Sequence, residues 1–166
     1  MADIELPKGW TMRLSKSHHG RSYFVNAYTG ATTWDLPTRP ASPGVDQKVQ
    51  CLHILKKHAG SRRPSSWRQS VITQSKQDSI DQISAIKSKL EQVLDKSGYA
   101  AMAKLFREIA SVESDCGSAE RGGDLGSFGR GQMQKPFEEA SFALGVQGIS
   151  GVVDTDSGIH VILRIA

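Results

Sequence analysis

The segment PTRPASPGVDQ, residues 37–47, constrains the fold of this chain more than any other feature. It contains three prolines and a glycine and almost no apolar side chain, so it cannot contribute to a hydrophobic core. Such a composition is typical of a linker or a trailing arm. We therefore divide the chain into a small unit, residues 1–38, a linker, residues 39–47, and a larger domain, residues 48–166.

The first unit is shorter than about 40 residues, a size at which a fold is hard to stabilise without a disulfide or a metal. Its sequence predicts three short antiparallel strands, the last two joined by a turn at Tyr28–Gly30. Alternation along the central strand puts Phe24 on one face and leaves Tyr23 and Trp34 as aromatic side chains on the opposite, wet face. The predicted partners of Phe24 in a minimal core are Leu6, Pro7, Trp10 and Pro37.

Residues 5–38 resemble a WW domain, a small module that binds proline-containing motifs. The residues that carry the resemblance are Trp10, Tyr23, Phe24, Asn26, Trp34 and Pro37. Ala27 departs from it, because many WW domains have a histidine after the asparagine.

Aromatic side chains such as Tyr23 and Trp34 suit a clamp on a preformed polyproline II segment, which binds with little loss of entropy. An anion beside that proline is expected to bind to Arg13, Ser15 and Lys16. Long cationic first loops in WW domains accompany phosphoserine-proline and phosphothreonine-proline ligands. The alternative is that these polar residues are an ordinary solvated loop, and the adjacent pair His18-His19 has no assigned role.

The larger domain has the pattern of an α+β fold with a central antiparallel or mixed sheet flanked by helices. Residues 49–55 and 159–165 alternate as strands do. A first helix is predicted to begin with a capping box at Ser75 and Asp78. Its apolar residues at helical spacing are Ile80, Ile83, Ile86, Leu90 and Leu94. Further helices are predicted near residues 99–110 and from residue 136.

A local excess of positive charge lies just after the first strand of this domain. Between Asp46 and Asp78 the chain has seven Lys or Arg and no acidic residue, whereas its net charge is only +4. Three negative partners are conceivable: a nucleic-acid backbone, a membrane and a single phosphate group. No aromatic-rich stacking surface accompanies the basic residues, as single-stranded nucleic acid would need. No run approaches the roughly 18 apolar residues that span a membrane.

The stretches LHILKKHAGSRRPSSWR, SDCGSAERGGDLGSFGRGQMQKPFEEASFAL and DTDSGIHVILRI resemble the parvulin family of peptidyl-prolyl isomerases. Within that family they are similar to the phosphorylation-dependent Pin type, which joins a WW domain to a parvulin domain. The resemblance covers nearly the whole chain. It has three departures: an extra segment near residues 91–101, Arg121 one place earlier than usual, and Val152 where a proline often follows Ser-Gly.

The resemblance implies a role for each matching residue. The phosphate that precedes the substrate proline would be bound by Lys57, Arg62 and Arg63. The pocket for the proline ring would be lined by Leu125, Met133 and Phe137. The rotating imide bond would be surrounded by His53, Cys116, Ser157 and His160, with Gln134 and Thr155 positioning the substrate.

Elementary chemistry agrees with these roles. Rotation about an X–Pro bond breaks amide resonance but no covalent bond, so the reaction requires no nucleophile, metal or cofactor. It requires an apolar socket for the pyrrolidine ring and an anchor on the preceding residue. The forked guanidinium groups of Arg62 and Arg63 and the point charge of Lys57 suit one phosphate as that anchor.

Other interpretations of the same residues remain open at this stage. His53 and His160 can be satisfied core histidines that set polarity around Cys116, and Cys116 can be a small buried apolar residue. A Cys–His hydrolase and a phosphopeptide adaptor without activity are the competing functions. Zinc is not expected, because the spacing of the cysteines and histidines fits no usual ligand pattern. We interpret Lys56 and Arg68 as solvated surface.

The remaining expectations concern the setting of the protein. The start Met1-Ala2-Asp3 is no signal peptide, and two cysteines cannot form a disulfide framework, so a reducing compartment is expected. The family resemblance implies phosphorylated Ser/Thr-Pro partners, among them mitotic phosphoproteins and the repeat tail of RNA polymerase II. It also implies a monomer in the nucleus and cytoplasm, with no cofactor and no direct binding of nucleic acid or membrane.

Overall fold

The chain separates into two compact units, Met1–Gln47 and Lys48–Ala166. The structure, a computed structural model, describes residues 4–42 and 48–166. Part of the predicted linker, residues 43–47, lies outside the described residues, and the boundaries predicted at residues 38 and 47 stay predictions. The predicted α+β class is confirmed, because one unit holds a three-stranded sheet and the other a four-stranded sheet with three helices.

The first unit is an antiparallel sheet in the order β1-β2-β3. Its strands are β1 (Trp10–Leu14), β2 (Ser22–Asn26) and β3 (Thr32–Thr33). The β2–β3 turn is built by Asn26, whose Oδ1 accepts hydrogen bonds from the amides of Tyr28 at 2.8 Å and Thr29 at 3.2 Å. Phe24 is buried at the centre of the sheet, as its alternation predicts.

Residues beyond the last strand of the first unit are hydrogen-bonded to its beginning. The indole Nε1 of Trp10 donates to the carbonyl of Arg39 at 3.0 Å, and the amide of Ala41 donates to the carbonyl of Lys8 at 2.8 Å. The side-chain amide of Asn26 donates to the carbonyl of Ser42 at 3.0 Å. The described part of the segment predicted as linker is therefore bonded to the first unit.

The second unit has four strands, three α-helices and a short 3-10 helix. In chain order these are β4 (Val49–Lys56), α1 (Lys76–Ser97), α2 (Tyr99–Glu113), the 3-10 helix (Gly117–Arg121), β5 (Asp124–Phe128), α3 (Lys135–Ala143), β6 (Val153–Thr155) and β7 (Gly158–Arg164). The sheet order is β5-β4-β7-β6 and every pair is antiparallel. Of the two predicted arrangements, the sheet is therefore the antiparallel one.

Both faces of this sheet are covered. One face packs against α1 and α2, and its buried members include Leu52, Ile54, Ile83, Leu90, Phe106 and Val161. The other face packs against α3, with Val49, Cys51, Phe128, Phe137, Phe142 and Ile162 in a second cluster. The side chains of β7 alternate between the two faces, as predicted. All seven of its residues are buried because helices cover both faces.

The helices begin and end near the predicted positions. Ser75 is the N-cap of α1, and its side chain accepts a hydrogen bond from the amide of Asp78 at 3.1 Å, as the capping pattern predicts. Gly98 separates α1 from α2 with a φ of 86°, a value that favours glycine. Among the described residues, no helix has the length and apolar composition that crossing a membrane requires.

Candidate active site

The predicted basic trio comes together at the end of β4. Lys57, Arg62, Arg63 and Ser157 line a pocket of about 360 Å³. The amide of Arg62 donates to the carbonyl of Asp156 at 2.7 Å, which ties the arginine-bearing loop to the β6–β7 turn. The ammonium of Lys57 donates to the carbonyl of Ser65 at 2.8 Å and is thereby held against the same loop. The pocket is therefore rich in positive charge and fixed to the sheet by backbone contacts.

A buried carboxylate organises this loop, and sequence reasoning did not identify it. Asp115 accepts a hydrogen bond from the amide of Lys57 at 2.9 Å and another from the hydroxyl of Ser66, also at 2.9 Å. A guanidinium nitrogen of Arg68 lies 3.7 Å from the same carboxylate. The only signal in the sequence is that an aspartate directly precedes Cys116, which says nothing of a loop some 50 residues away.

The interpretation of Lys56 as solvated surface is wrong. Its alternation with Lys57 along β4 turns it to the side of α1 and α2, and only 7% of the residue is exposed. Burial and the nearby charge of Arg68 lower the pKa of Lys56. Arg68 is likewise not a freely solvated side chain, because it pairs with Asp115.

A second pocket, of about 310 Å³, lies beside the basic one. Its lining residues are His53, Leu55, Cys116, Leu125, Gln132, Met133, Gln134, Phe137, Thr155, Ser157 and His160. This set contains all nine residues that the sequence predicts around the proline ring and the imide bond. Leu55 and Gln132 are the two that sequence reasoning missed, although strand alternation places Leu55, two residues after His53 on β4, on the same face.

Two histidines form a buried pair at the base of this pocket. The Nδ1 atoms of His53 and His160 are 3.0 Å apart, and the rings are stacked with centroids 5.2 Å apart. The hydroxyl of Thr155 lies 2.7 Å from Nε2 of His160, and Phe137 meets both rings edge-on. In the described part of the chain, Nε2 of His53 is buried without a hydrogen-bond partner.

The surroundings keep both rings neutral. Burial lowers the pKa of His53 to about 4. Burial, followed by the proximity of His53, lowers the pKa of His160 well below its ordinary value. Neutral rings near pH 7 agree with the interpretation of these histidines as groups that set polarity and hydrogen bonding.

Cys116 is half-buried at the start of the 3-10 helix, where its sulfur accepts a hydrogen bond from the amide of Ser118 at 3.5 Å. A catalytic thiol requires a base within hydrogen-bond reach. Within residues 48–166, no imidazole is hydrogen-bonded to this sulfur, so the geometry does not favour a Cys–His hydrolase. Across residues 4–42 and 48–166 there is no group of three or more side chains that could hold a metal ion.

The two pockets are joined by Ser157 and Gln134. Ser157 lines both pockets. Gln134 donates from Nε2 to the hydroxyl of Ser157 at 2.7 Å and accepts at Oε1 from the amide of Asp156 at 3.0 Å. The N-cap residue of α3 is thus hydrogen-bonded to the β6–β7 turn, and the basic pocket lies next to the apolar one.

The first unit has a groove of its own, of about 470 Å³, on the face that carries Tyr23 and Trp34. These two rings meet edge to face with centroids 5.7 Å apart. The groove is lined by Leu14, Ser15, Lys16, Ser17, His18, Tyr23, Thr32, Thr33 and Trp34. Arg13 pairs with Tyr23 across β1 and β2, on the same face, but is not among the lining residues.

Two residues at this groove escaped sequence reasoning. The imidazole of His18 lies 5.0 Å from the Trp34 ring, measured between centroids, and the guanidinium of Arg21 lies 4.9 Å from the centroid of the same ring. Both residues precede the central strand in the polar loop. Only the three-dimensional arrangement brings them to Trp34.

Comparison with protein families gives two matches. Residues 53–166 match the PPIC-type peptidyl-prolyl isomerase (rotamase) domain, and residues 6–37 match the WW domain. The chain is 44% identical over 163 residues to the peptidyl-prolyl cis-trans isomerase pin1 of Rhizopus delemar, covering 98% of this chain and 100% of that one. It is 42% identical over 167 residues to the peptidyl-prolyl cis-trans isomerase ESS1 of Saccharomyces cerevisiae, covering 96% and 94%.

Among solved structures, the peptidyl-prolyl isomerase ESS1 from Candida albicans is similar over the full length of both chains, with 35% identity and a TM-score of 0.63. The chain therefore belongs to the PPIC-type parvulin family and is a Pin1-type peptidyl-prolyl cis–trans isomerase that carries a WW domain.

Proposed function

We propose that this isomerase acts on peptide bonds between phosphoserine or phosphothreonine and proline. The observation that carries the proposal is the adjacency of the basic pocket and the apolar pocket, which share Ser157. A phosphorylated side chain and the following pyrrolidine ring are neighbours in such a ligand. A substrate of this kind occupies both pockets at once, whereas an unphosphorylated one leaves the cationic pocket without a partner.

The basic pocket supplies the anchor on the residue before proline. Arg62 and Arg63 offer forked donors that match phosphate oxygens, and Lys57 adds a third positive charge. The backbone of the loop is held by the bonds of Arg62 to Asp156 and of Lys57 to Asp115. An anchor that is preorganised in this way loses little binding energy to rearrangement.

The apolar pocket holds the other side of the rotating bond. Leu125, Met133 and Phe137 offer the hydrophobic surface that a pyrrolidine ring needs. The phosphate and the ring are then both held while the imide bond between them rotates. In the free peptide this rotation has a barrier of about 18–20 kcal/mol. Binding energy lowers this barrier only where the site fits the twisted imide better than the planar one.

The polar atoms of the apolar pocket suit this task without covalent chemistry. The neutral pair His53 and His160, with Thr155, presents a hydrogen-bond chain next to Cys116. A twisted imide has a more basic nitrogen and a less conjugated carbonyl, so weak donors and a low polarity favour it over the planar form. No nucleophile or cofactor takes part in this scheme.

The WW domain, in this proposal, binds phosphoserine-proline or phosphothreonine-proline motifs as well. Tyr23 and Trp34 clamp the proline, while Ser15, Lys16 and Arg13 attract the phosphate. Two linked sites of this kind raise the effective concentration of multiply phosphorylated targets. Proteins with repeated Ser/Thr-Pro motifs are therefore the proposed partners, including the RNA polymerase II repeat tail and mitotic phosphoproteins, in the nucleus and cytoplasm.

The decisive experiment is NMR exchange spectroscopy on paired pSer-Pro and Ser-Pro peptides. The wild-type protein is expected to accelerate cis–trans exchange of the phosphorylated peptide far more than exchange of the unphosphorylated peptide. Arg62→Ala/Arg63→Ala should reduce the acceleration by about 100-fold, because each charge-assisted hydrogen bond contributes about 1.5–3 kcal/mol.

The matched control for this experiment removes two exposed positive charges elsewhere on the same unit, in Lys96→Ala/Lys104→Ala, and should leave exchange unchanged. Equal acceleration of both peptides by the wild-type protein would mean that the enzyme is an isomerase without a phosphate anchor. Binding of the phosphopeptide without any acceleration would leave the adaptor function instead.

A further inference from the structure

His18 contacts both the polar loop and the aromatic side chains that line the groove in the WW domain. Its Nδ1 lies 3.0 Å from the hydroxyl oxygen of Ser17 and 3.3 Å from that of Ser15. Its ring meets Trp34 at an interplanar angle of 60°. The imidazole therefore contacts both the polar loop and the aromatic clamp, and it lines the groove together with them.

The charges around this imidazole favour an anion. Lys16 lines the same groove, Arg21 stands over Trp34, and Arg13 lies across from Tyr23. Tyr23 is the only other titratable side chain in the lining besides Lys16, and none of the residues that line the groove carries a carboxylate. Protonation of His18 would add a further positive charge here, and a bound phosphate would compensate that charge.

The hydrogen bonds of His18 show how protonation would change the donors in the groove. In a neutral ring with a bare Nδ1, this nitrogen accepts a hydrogen bond from the hydroxyl of Ser17, and that donor is then unavailable to a ligand. An imidazolium has a proton on both nitrogens, so Nδ1 donates to the serine oxygens and the hydroxyl protons turn elsewhere. Nε2 of His18 has no hydrogen-bond partner within residues 4–42, so its proton is available as well.

We propose that His18 is a phosphate-binding residue of the WW groove and that its protonated form binds a phosphopeptide more tightly than its neutral form. This inference rests on the proposed function of the WW domain. It would make the attachment of this enzyme to its targets stronger at lower pH, because a protonated imidazole adds a positive charge beside the phosphate.

The test uses the full-length, 15N-labelled protein and a peptide with a single pSer-Pro motif. The indole N–H signal of Trp34 reports binding in the groove at each pH between 5.5 and 7.5, at constant ionic strength. The indole of Trp10, which is hydrogen-bonded to the carbonyl of Arg39, serves as an internal reference, whereas the indole of Trp67, beside the basic loop, reports binding in the second unit separately. Dissociation constants are compared between the wild type, His18→Asn and a matched control, His19→Asn.

His19 is the suitable control because it is the neighbouring histidine in the same exposed loop and is not among the residues that line the groove. Its φ of 51° lies in the left-handed region, which asparagine tolerates well. The phosphate itself loses charge below about pH 6. The ratio of the dissociation constants of variant and wild type cancels the part of that effect that both proteins share, and the remaining part makes the ratio smaller at the acidic end.

The ratio for His18→Asn is expected to rise from about two at pH 7.5 to about five at pH 5.5, near the upper limit for an exposed charge pair. The ratio for His19→Asn should stay near one throughout. A ratio for His18→Asn that does not change with pH, while the Trp34 signal titrates normally, would overturn this inference alone. If the Trp34 signal of the wild type does not change when the phosphopeptide is added, both this inference and the proposed function of the WW domain are overturned.

Discussion

The Nδ1 atoms of His53 and His160 lie 3.0 Å apart, so in a pair of neutral rings one Nδ1 donates a hydrogen bond and the other accepts it. The contact is made across neighbouring strands, since His53 is on β4 and His160 on β7. At the far side of the pair the hydroxyl of Thr155 is 2.7 Å from Nε2 of His160. The order of donors and acceptors along this chain therefore depends on the hydroxyl at its end.

This pair makes the stability of the protein sensitive to acid. Unfolded histidine titrates near pH 6.5, whereas burial lowers the pKa of His53 to about 4 and that of His160 in the same direction. Between these values the unfolded state binds more protons, so the free energy of unfolding falls as the pH decreases from 6.5 towards 4. His53 alone should account for about 3 kcal/mol of that loss.

Urea unfolding at pH 7, 6, 5 and 4 measures this effect. Carboxylates also contribute in the lower part of the range, so the wild type is compared with His53→Leu/His160→Leu. The variant should lose clearly less stability between pH 6.5 and 4. Identical losses in the two proteins would contradict the neutral histidine pair.

Thr155→Val should impair the isomerase while leaving the fold in place. The substitution removes the hydroxyl that contacts Nε2 of His160 and accepts a hydrogen bond from the amide of Ser157 at 3.2 Å. A buried imidazole nitrogen without a partner costs about 1–3 kcal/mol, so kcat/KM should fall by about tenfold. Thr155→Ser keeps the hydroxyl and should retain most of the activity. Equal losses in both variants would contradict the role of the hydroxyl, because Thr155→Ser retains it.

Gly123→Ala should destabilise the second unit strongly. Gly123 has a φ of 85°, and a Cβ there would lie 2.5 Å from the carbonyl oxygen of His53. Gly126 has a similar φ of 71° with nothing within 4 Å of its Cβ position, so Gly126→Ala carries the conformational cost alone. That cost is about 1 kcal/mol, and the clash should add at least about 2 kcal/mol more. Chemical denaturation of both variants provides the measurement, and similar losses would mean that the strand relaxes freely.

Lys56→Met should stabilise the protein at neutral pH. Burial and Arg68 lower the pKa of Lys56, so its ammonium is less favourable in the folded state than in the unfolded state. Because the unfolded lysine retains its proton up to about pH 10.4, the folded wild type gains stability as the pH rises towards that value. The increase in Tm, about 3 °C at pH 7, should therefore shrink near pH 10. Lys89→Met, at an exposed position of α1, is the control, and a lower Tm for Lys56→Met would contradict the prediction.

Local patterns in the sequence were sufficient for the three strands of the first unit and for β4, β7 and the three α-helices of the second, but not for β5, β6 or the 3-10 helix. The strand alternation around His53, the capping of α1 by Ser75 and the turn at Tyr28–Gly30 each depend on residues close together in the chain. The nine residues that the parvulin motifs implied around the proline ring and the imide bond also line one pocket in the structure. Such features are predictable because backbone geometry and short-range hydrogen bonds determine them.

The arrangement of polar groups within the site was decided by the tertiary structure alone. Asp115 supports a loop that precedes it by 49 residues, and the burial of Lys56 follows from the helices that cover its strand face. His53 and His160 are 107 residues apart in sequence, yet their nitrogens come within hydrogen-bond distance. Distances of this kind, and the desolvation that lowers the pKa of both rings, arise only when strands and helices pack. The sequence by itself therefore determined nearly all the residues that line the pocket, and the packing determined their charge and their hydrogen bonds.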